Sequence, residues 1–495
     1  MEKARQTGMM HVLRGMLATL AGACAWGRVD LAAAVELRYG AEYSGEYSTN
    51  VGRNDTGIGR TLMDEQSDWI NTTVLHIDIA DSAESLGLAG QRILSGSSRG
   101  IDFTGAAISI GETGRGFGLE RTKKIDALIS ARMTYEHYVK GTFDDQLLFG
   151  LDALSTLTIR PKWFSWTFED RFGQTPITRQ IAITPNNRQD FNVLSTGPNF
   201  TFRFGPQHTL ELEGRYGRDM FFGGDSSVVP TDSQADSQRY IGAMRWTYGW
   251  SPSLLFSVNA KGEGVDFDST PPRAFDRLRF LVGIVAARSR SNFLLNVGWS
   301  HTTHREDGSA PSESEPIGRL EWIYRLTSGS RVGVSVSAEP TDTASELLSI
   351  TADKPRDPEG FVGEAVVPDT IFEKQSQIFY EHVRPSIGGR ISILLNERDY
   401  SNSNELDERS YGGLLEFNYR LSALWEARCN VGYTVRDFRN TDRTDRDTGI
   451  GVRLLYHAPR NITVSLRAAW NNQFSTDPTA EFSEAIAGLT IGYAR

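Results

Sequence analysis

Alternation of apolar and polar residues is the dominant pattern in the C-terminal part of the chain. From position 425 to 436 the odd positions carry Trp, Ala, Cys, Val, Tyr and Val, whereas the even positions carry Glu, Arg, Asn, Gly, Thr and Arg. A period of two indicates β-strands with one apolar and one polar face. The same alternation recurs over 450–456 and 462–471. Segments of about ten such residues are long enough to cross a bilayer as tilted strands.

Very short turns and longer polar connections divide these strands into hairpins. Eight short turns are centred near residues 161, 206, 251, 289, 328, 385, 422 and 459. A unit of about 40 residues also fits the blades of a β-propeller, but propeller strands are shorter and buried on both faces. The connections 223–237, 305–316, 340–370 and 440–447 are longer and polar. In bacterial barrels short turns face the periplasm and long loops face outward.

These patterns predict an all-β fold, a transmembrane antiparallel up-and-down β-barrel. The eight turns account for 16 strands, 482–493 adds a closing strand, and 35–47, 67–79 and 125–138 add strands near the N-terminus. We expect an even number between 16 and 22, with about 18–20 favoured. Trp residues near strand ends are typical of the aromatic girdles at the two membrane interfaces: Trp163, Trp166, Trp246, Trp250, Trp299, Trp322, Trp425 and Trp470.

The first 34 residues differ from the rest and are predicted to be a signal peptide. Basic residues at positions 3, 5 and 14 precede an apolar segment at 16–26 and a small-residue cleavage site before Val35. The alternatives are a short buried helix and lipidation at Cys24. The predicted domains are therefore a signal peptide at 1–34 and an outer-membrane barrel at 35–495. The glycine-rich segment 86–118 within that barrel is left as a loop or a lumen plug.

Composition and charge exclude several classes of function. Removal of residues 1–34 leaves 48 basic and 60 acidic residues, a net charge of −12 that argues against a nucleic-acid partner. Hydrophobic residues make up only 39% of the chain, which a barrel tolerates because only alternate strand residues face lipid. If the chain is cleaved before Val35, Cys429 is the only thiol, which excludes an internal disulfide and a cysteine zinc site.

No motif in the sequence is typical of an enzyme, a cofactor site or a metal site. The glycine-rich stretch 111–118 lacks the Lys-Ser or Lys-Thr pair of a phosphate-binding loop. His301 and His304 would lie on opposite faces of a strand, with no third ligand. A Gly-x-Ser-x-Gly nucleophile motif is absent. We therefore expect no enzymatic activity, no cofactor and no metal.

The polar faces of the predicted strands form the candidate functional surface. They carry acidic and basic side chains at adjacent positions, which can bind hydrated solutes or pair with each other and stiffen the wall. Pairing is the simpler interpretation for at least half of them. The predicted lumen-lining residues are Glu211, Glu213, Arg215, Arg319, Glu321, Arg325, Glu416, Arg420, Glu426, Arg428, Arg436, Arg453 and Arg467.

Four short stretches carry a resemblance to a known family. Residues 42–50, 67–70, 202–206 and 210–216 read EYSGEYSTN, SDWI, FRFGP and LELEGRY. Together with the hairpin layout, they resemble the outer-membrane β-barrel porin family that accompanies exopolysaccharide and PEP-CTERM systems of Gram-negative bacteria. The resemblance covers nearly the whole chain after residue 34. It implies a location in the Gram-negative outer membrane and carries over no catalytic residue.

The function expected from this resemblance is a polar channel or scaffold linked to exopolysaccharide export. Its expected partners are outer-membrane lipid and lipopolysaccharide, the barrel-assembly machinery, exopolysaccharide and periplasmic export proteins. Three alternatives remain open at this stage. They are a general diffusion porin, a structural or adhesive barrel, and an outer-membrane enzyme that acts on lipid or glycan.

Overall fold

A computed structural model describes residues 36–53, 67–80, 125–177, 184–222, 236–268, 273–305, 312–342 and 369–495. The signal peptide predicted at 1–34 and the segment 86–118 lie outside these residues. Among the described residues, no helix is long and apolar enough to cross a membrane.

The described chain forms twenty strands, each 12 to 16 residues long. The strands are β1 (Glu36–Ser48), β2 (Asp68–Ala80), β3 (Ile125–Tyr138), β4 (Gln146–Arg160), β5 (Phe164–Thr175), β6 (Gln189–Phe204), β7 (His208–Phe222), β8 (Ser237–Ser251), β9 (Leu254–Phe267), β10 (Arg273–Ala287), β11 (Ser291–His304), β12 (Glu313–Thr327), β13 (Ser330–Asp342), β14 (Thr370–Val383), β15 (Ile387–Tyr400), β16 (Glu408–Arg420), β17 (Trp425–Phe438), β18 (Arg443–Ala458), β19 (Ile462–Ser475) and β20 (Phe482–Ala494). Single 3-10 turns lie at Pro185–Asn187, Asn404–Leu406 and Pro478–Ala480.

The strands close into one antiparallel barrel. Each strand pairs with its neighbours in sequence, and β1 pairs with β20 over nine residue pairs, from Gly40↔Ala494 to Ser48↔Ile486. Main-chain hydrogen bonds between Tyr39 and Arg495, of 2.9 and 2.8 Å, extend this seam by one residue. A closed sheet pairs its backbone groups internally, as a segment in hydrocarbon requires. The predicted all-β barrel is confirmed, with 20 strands.

The eight predicted short turns all join consecutive strands at one end of the barrel. The three-residue turn between β18 and β19 places Arg460 and Asn461 at φ values of 65° and 62°, the left-handed backbone that residues other than glycine adopt mainly in tight turns. The three strands predicted near the N-terminus are also present, shifted by at most one residue.

The loop predicted at 440–447 was wrong in its extent. Strand β18 begins at Arg443, which pairs with Phe438 of β17, and the ladder continues without interruption. Arg443 donates hydrogen bonds of 2.9 and 2.7 Å to the carboxylate of Asp445. Charged residues therefore continue a strand when they pair with each other, so polarity alone does not mark where a strand ends.

The two faces of the sheet differ as the alternation predicts. One face carries large exposed apolar residues on nearly every strand, and the other carries polar and charged residues that are buried or half-buried. All nine tryptophans in the described residues, including the eight predicted for the girdles, are 37–65% exposed. Large apolar side chains face outward and the buried charged side chains face the lumen.

Candidate functional site

All thirteen predicted lumen-lining residues lie on strands, on the face opposite the exposed apolar side chains. Cross-strand partners in an antiparallel sheet share a face, and the ladders pair these residues with buried or polar neighbours. Glu321, for example, pairs with Leu294, which is 1% exposed, and Arg319 pairs with Asn296. Their contact with a solute stays a prediction.

Nine of these thirteen side chains form ion pairs within the wall. The shortest are Arg319–Glu321 and Arg428–Glu426, each at 2.6 Å. The other five paired residues are Glu211, Glu213, Arg215, Arg436 and Arg467. Across the residues that the structure describes, no ion pair joins the remaining four, Arg325, Glu416, Arg420 and Arg453. Much of the lumen charge therefore stiffens the wall, while a smaller set is left for other contacts.

Arg215 belongs to the wall itself. The ladder between β6 and β7 is interrupted near Pro198, which has no N–H to donate. The Arg215 guanidinium fills this gap by donating hydrogen bonds to the carbonyl oxygens of Pro198 (3.0 Å) and Gly214 (2.7 Å) and to the side chain of Asn199. Only 4% of its side chain is exposed. Its contribution is to stabilise a break in the sheet.

The outer end of β13 leaves the cylinder of the barrel. Pairing between β12 and β13 stops at Gly318↔Ala338. Continued register would place Pro316 opposite Pro340, and neither residue has an N–H to donate to the ladder. Strand β13 nevertheless stays paired with β14 as far as Asp342↔Thr370. The end of this hairpin is therefore free to bend away from β12.

The bent end reaches strands on another part of the wall. Asp342 accepts a hydrogen bond of 2.7 Å from Nη2 of Arg239 on β8, although four strands separate β8 from β13. Arg277 on β10 donates a hydrogen bond of 3.1 Å to the main-chain carbonyl of Thr341. The end of β13 is thus tied to β8 and β10 at the end of the barrel that carries the long loops.

Seven charged side chains form this contact, and we call them the mouth cluster. Glu263 lies at its centre, with ion pairs to Lys261 at 2.7 Å and to Arg277 and Arg279 at 3.0 Å. The apolar side chains of Val265, Phe267 and Phe275 pack beside it. The cluster consists of Asp219, Arg239, Lys261, Glu263, Arg277, Arg279 and Asp342, and every member is less than 9% exposed.

Sequence reasoning missed the mouth cluster. A usable signal was present on β9 and β10, where charged residues alternate with small or apolar ones at Lys261/Glu263 and Arg277/Arg279. The role of Asp342 had no such signal, because it depends on where β13 separates from β12.

The chemistry of the site contains no sign of a metal centre within the described ranges. No group of three or more His, Cys, Asp or Glu side chains there is placed to hold an ion. His301 is exposed whereas His304 is half-buried, as expected for residues on opposite faces of β11. His301 Nδ1 lies 2.6 Å from Ser314 Oγ. Cys429 is a free cysteine.

An apolar exterior with exposed tryptophans, around a closed sheet with a charged interior, is the arrangement that a strand-built membrane protein requires. Leu278, Ile378 and Ile393 are more than half exposed on that exterior. Exposing so much apolar surface to water is unfavourable, whereas contact with lipid removes that cost. The chain is a Gram-negative outer-membrane β-barrel.

Comparisons with known proteins show likeness only in solved structures. No family model matches the chain, and no curated protein matches it. The FrpB iron transporter from Neisseria meningitidis (F5-1 variant) is 8% identical, with a TM-score of 0.49 over 92% of this chain and 82% of that one. The siderophore receptor PirA from Pseudomonas aeruginosa is 10% identical, with a TM-score of 0.42 over 92% and 80%.

The copper transporter OprC is 10% identical, with a TM-score of 0.47 over 94% of this chain and 81% of that one. At these identities and scores, the similarity bears on neither solute nor mechanism. The association with exopolysaccharide that the sequence resemblance implies is not seen in these comparisons.

Proposed function

We propose that this barrel is an outer-membrane channel for hydrated solutes whose outer mouth is held narrow by the mouth cluster. The observation that carries the proposal is the Arg239–Asp342 ion pair, which ties the end of β13 to a distant part of the wall. Barrels of 16 to 18 strands already leave an aqueous channel unless something fills them. A 20-strand barrel therefore needs an obstruction to keep from leaking small solutes.

The charged side chains of the lumen favour a polar solute. Acidic and basic side chains line it on most strands, and a mixed-charge surface offers hydrogen bonds to a hydrated, hydroxyl-rich chain. Exopolysaccharide, the solute class that the sequence resemblance implies, has this chemistry. The barrel would supply a hydrated path without making or breaking a covalent bond.

Planar-bilayer conductance of the purified full-length protein tests the proposal. We expect the native protein to conduct small ions poorly and Asp342→Asn to conduct them measurably better. The variant loosens the end of β13 by removing its ion pair with Arg239, and it leaves Asp219 to pair with Arg239 at 3.3 Å, so no buried charge is stranded. Lys374→Gln is the matched control, because it breaks ion pairs of β14 with Glu397 and Asp399 at exposed positions.

A general diffusion porin is the competing function. It would conduct freely in its native form and would respond little to Asp342→Asn. That result would favour a general porin over the narrow-mouth channel.

A gene deletion in the source bacterium tests exopolysaccharide as the solute. If the barrel exports it, the deletion should lower surface polysaccharide and leave its synthesis intact. An unchanged amount of surface polysaccharide would reject that solute.

A further inference from the structure

Three lumen-facing arginines stand side by side on β17, β18 and β19. The ladders pair Arg428 of β17 with Arg453 of β18, and Arg453 with Arg467 of β19. We call these three residues the arginine row. Directly opposed cross-strand residues lie about 4.5–5.5 Å apart at Cβ, where like charges destabilise a sheet. Nearby anionic groups would therefore stabilise this row of three positive charges.

Acidic side chains of the wall neutralise the two flanking arginines of the row better than the central one. Arg428 pairs with Glu426 at 2.6 Å, and Arg467 lies 3.4 Å from Glu46 of β1. Within the described ranges, Arg453 has no ion pair. The charged side chains that act on it electrostatically are its two arginine neighbours, Glu46 and Glu42. Its positive charge is thus only partly compensated by the protein.

The side chains next to the row are short or buried. The next lumen-facing positions toward the outer end are Asn430, Gly451 and Ala469, which share one ladder level and have short side chains. On the periplasmic side, Leu455 is buried and Ser465 is small. The two flanking arginines are accessible, since 44% of the Arg428 side chain and 27% of the Arg467 side chain are exposed, and Arg453 between them is half-buried. A solute in the lumen can therefore reach the guanidinium groups.

We propose that the arginine row is a binding site for the oxyanion groups of a solute in transit, with Arg453 as its central contact. A guanidinium presents a planar fork of N–H donors that matches a carboxylate or a phosphate in two parallel hydrogen bonds. A carboxylate-bearing sugar chain and a phosphate-bearing one offer the same chemistry. The proposal rests on the proposed channel function and narrows its solutes to anionic ones.

Equilibrium binding to the purified full-length barrel in detergent tests the site without requiring conduction. The probes are an oligogalacturonate, which carries carboxylates, a maltooligosaccharide of equal length, which is neutral, and inorganic phosphate. We expect the oligogalacturonate to bind with an affinity that falls as salt rises and the neutral sugar not to bind at this site. Competition by phosphate at comparable concentration would assign the site to phosphate-bearing solutes, and no competition would assign it to carboxylates.

Arg453→Gln should weaken binding of the anionic probe about ten- to a hundredfold. Arg325→Gln is the matched control, because Arg325 also faces the lumen without an ion pair but lies on β12, away from the row. Arg453→Lys keeps the charge and loses the fork, so it should bind at an intermediate affinity. Removing one of three like charges should not harm folding, which migration of the unheated protein on a gel checks.

Unchanged binding in Arg453→Gln, or equal loss in Arg325→Gln, would overturn the arginine row as a site. Equal binding of the neutral sugar would do the same. The proposed channel fails separately, through the conductance measurements on the native protein and Asp342→Asn. A barrel that binds the anionic probe but never conducts would keep the site and reject the channel.

Discussion

Leu489 and Thr490 are adjacent residues of β20 that face opposite sides of the wall, so they allow a matched test of the barrel's two faces. Leu489 is 43% exposed and pairs with Leu466, which is 54% exposed. Thr490 pairs with Ser465 of β19 and Ser44 of β1. Leu489 therefore faces lipid and Thr490 faces the lumen.

The depth of Leu489 determines the expected magnitude. Its partner Leu466 lies four residues from Trp470 along β19, roughly 13 Å at about 3.3 Å per residue. A tilt of about 40° reduces this to roughly 10 Å along the membrane normal, close to half of an apolar band about 25 Å tall. Leu489 thus lies near the midplane, where an arginine costs about 2–4 kcal/mol. Thr490→Arg enters a hydrated lumen among small polar neighbours and should cost less than about 1 kcal/mol.

The assay is reversible unfolding of each variant in phospholipid vesicles, followed by tryptophan fluorescence across a guanidinium titration. A difference of about 2–4 kcal/mol corresponds to a change of roughly 30- to 1000-fold in the folding equilibrium. Equal free energies of unfolding for Leu489→Arg and Thr490→Arg would refute the assignment of faces in β20, and with it the lumen positions inferred from the same ladder.

Three further predictions follow from other parts of the barrel. Arg215→Met should destabilise the protein by about 1–3 kcal/mol, because it leaves the carbonyls of Pro198 and Gly214 without a donor; denaturant unfolding measures this, and a neutral result would exclude the wall role. An epitope inserted after Asn440 should be labelled on intact cells, and one inserted after Ser422 only on permeabilised cells; the reverse labelling would invert the topology. Hydrogen bonds from Tyr135 and His137 hold the pKa of Asp145 below its ordinary value, so this contact should persist at neutral pH and be lost as pH falls through the lowered pKa. Protection of the loop 139–145 from hydrogen exchange, taken relative to the intrinsic exchange rate at each pH, should therefore fall at acid pH, and Asp145→Asn should remove that dependence.

The architecture follows from local patterns in the sequence, whereas contacts between distant strands do not. Alternation along one strand is enough to assign Arg428, Arg453 and Arg467 to the lumen. Their alignment in a row depends on register across three strands, which turn geometry and ladder length determine together. The Arg239–Asp342 pair is harder to predict from the sequence. It forms only because β13 bends away from β12, and that bend depends on the register that would place Pro316 opposite Pro340.

The seam between β1 and β20 also bears on how the barrel forms. Every other strand pair in the described barrel joins neighbours in sequence and can form as a local hairpin, whereas this seam joins Gly40 to Ala494. A contact of such large sequence separation forms late, since the chain between its ends must already be ordered. Until then β1 and β20 are edge strands with unpaired N–H and C=O groups, which are unfavourable in hydrocarbon and prone to pair with other chains. Pairing of the 13-residue strand β20 with β1 therefore completes the barrel. From that point no edge of the described strands is left to pair with another chain or to face hydrocarbon unpaired.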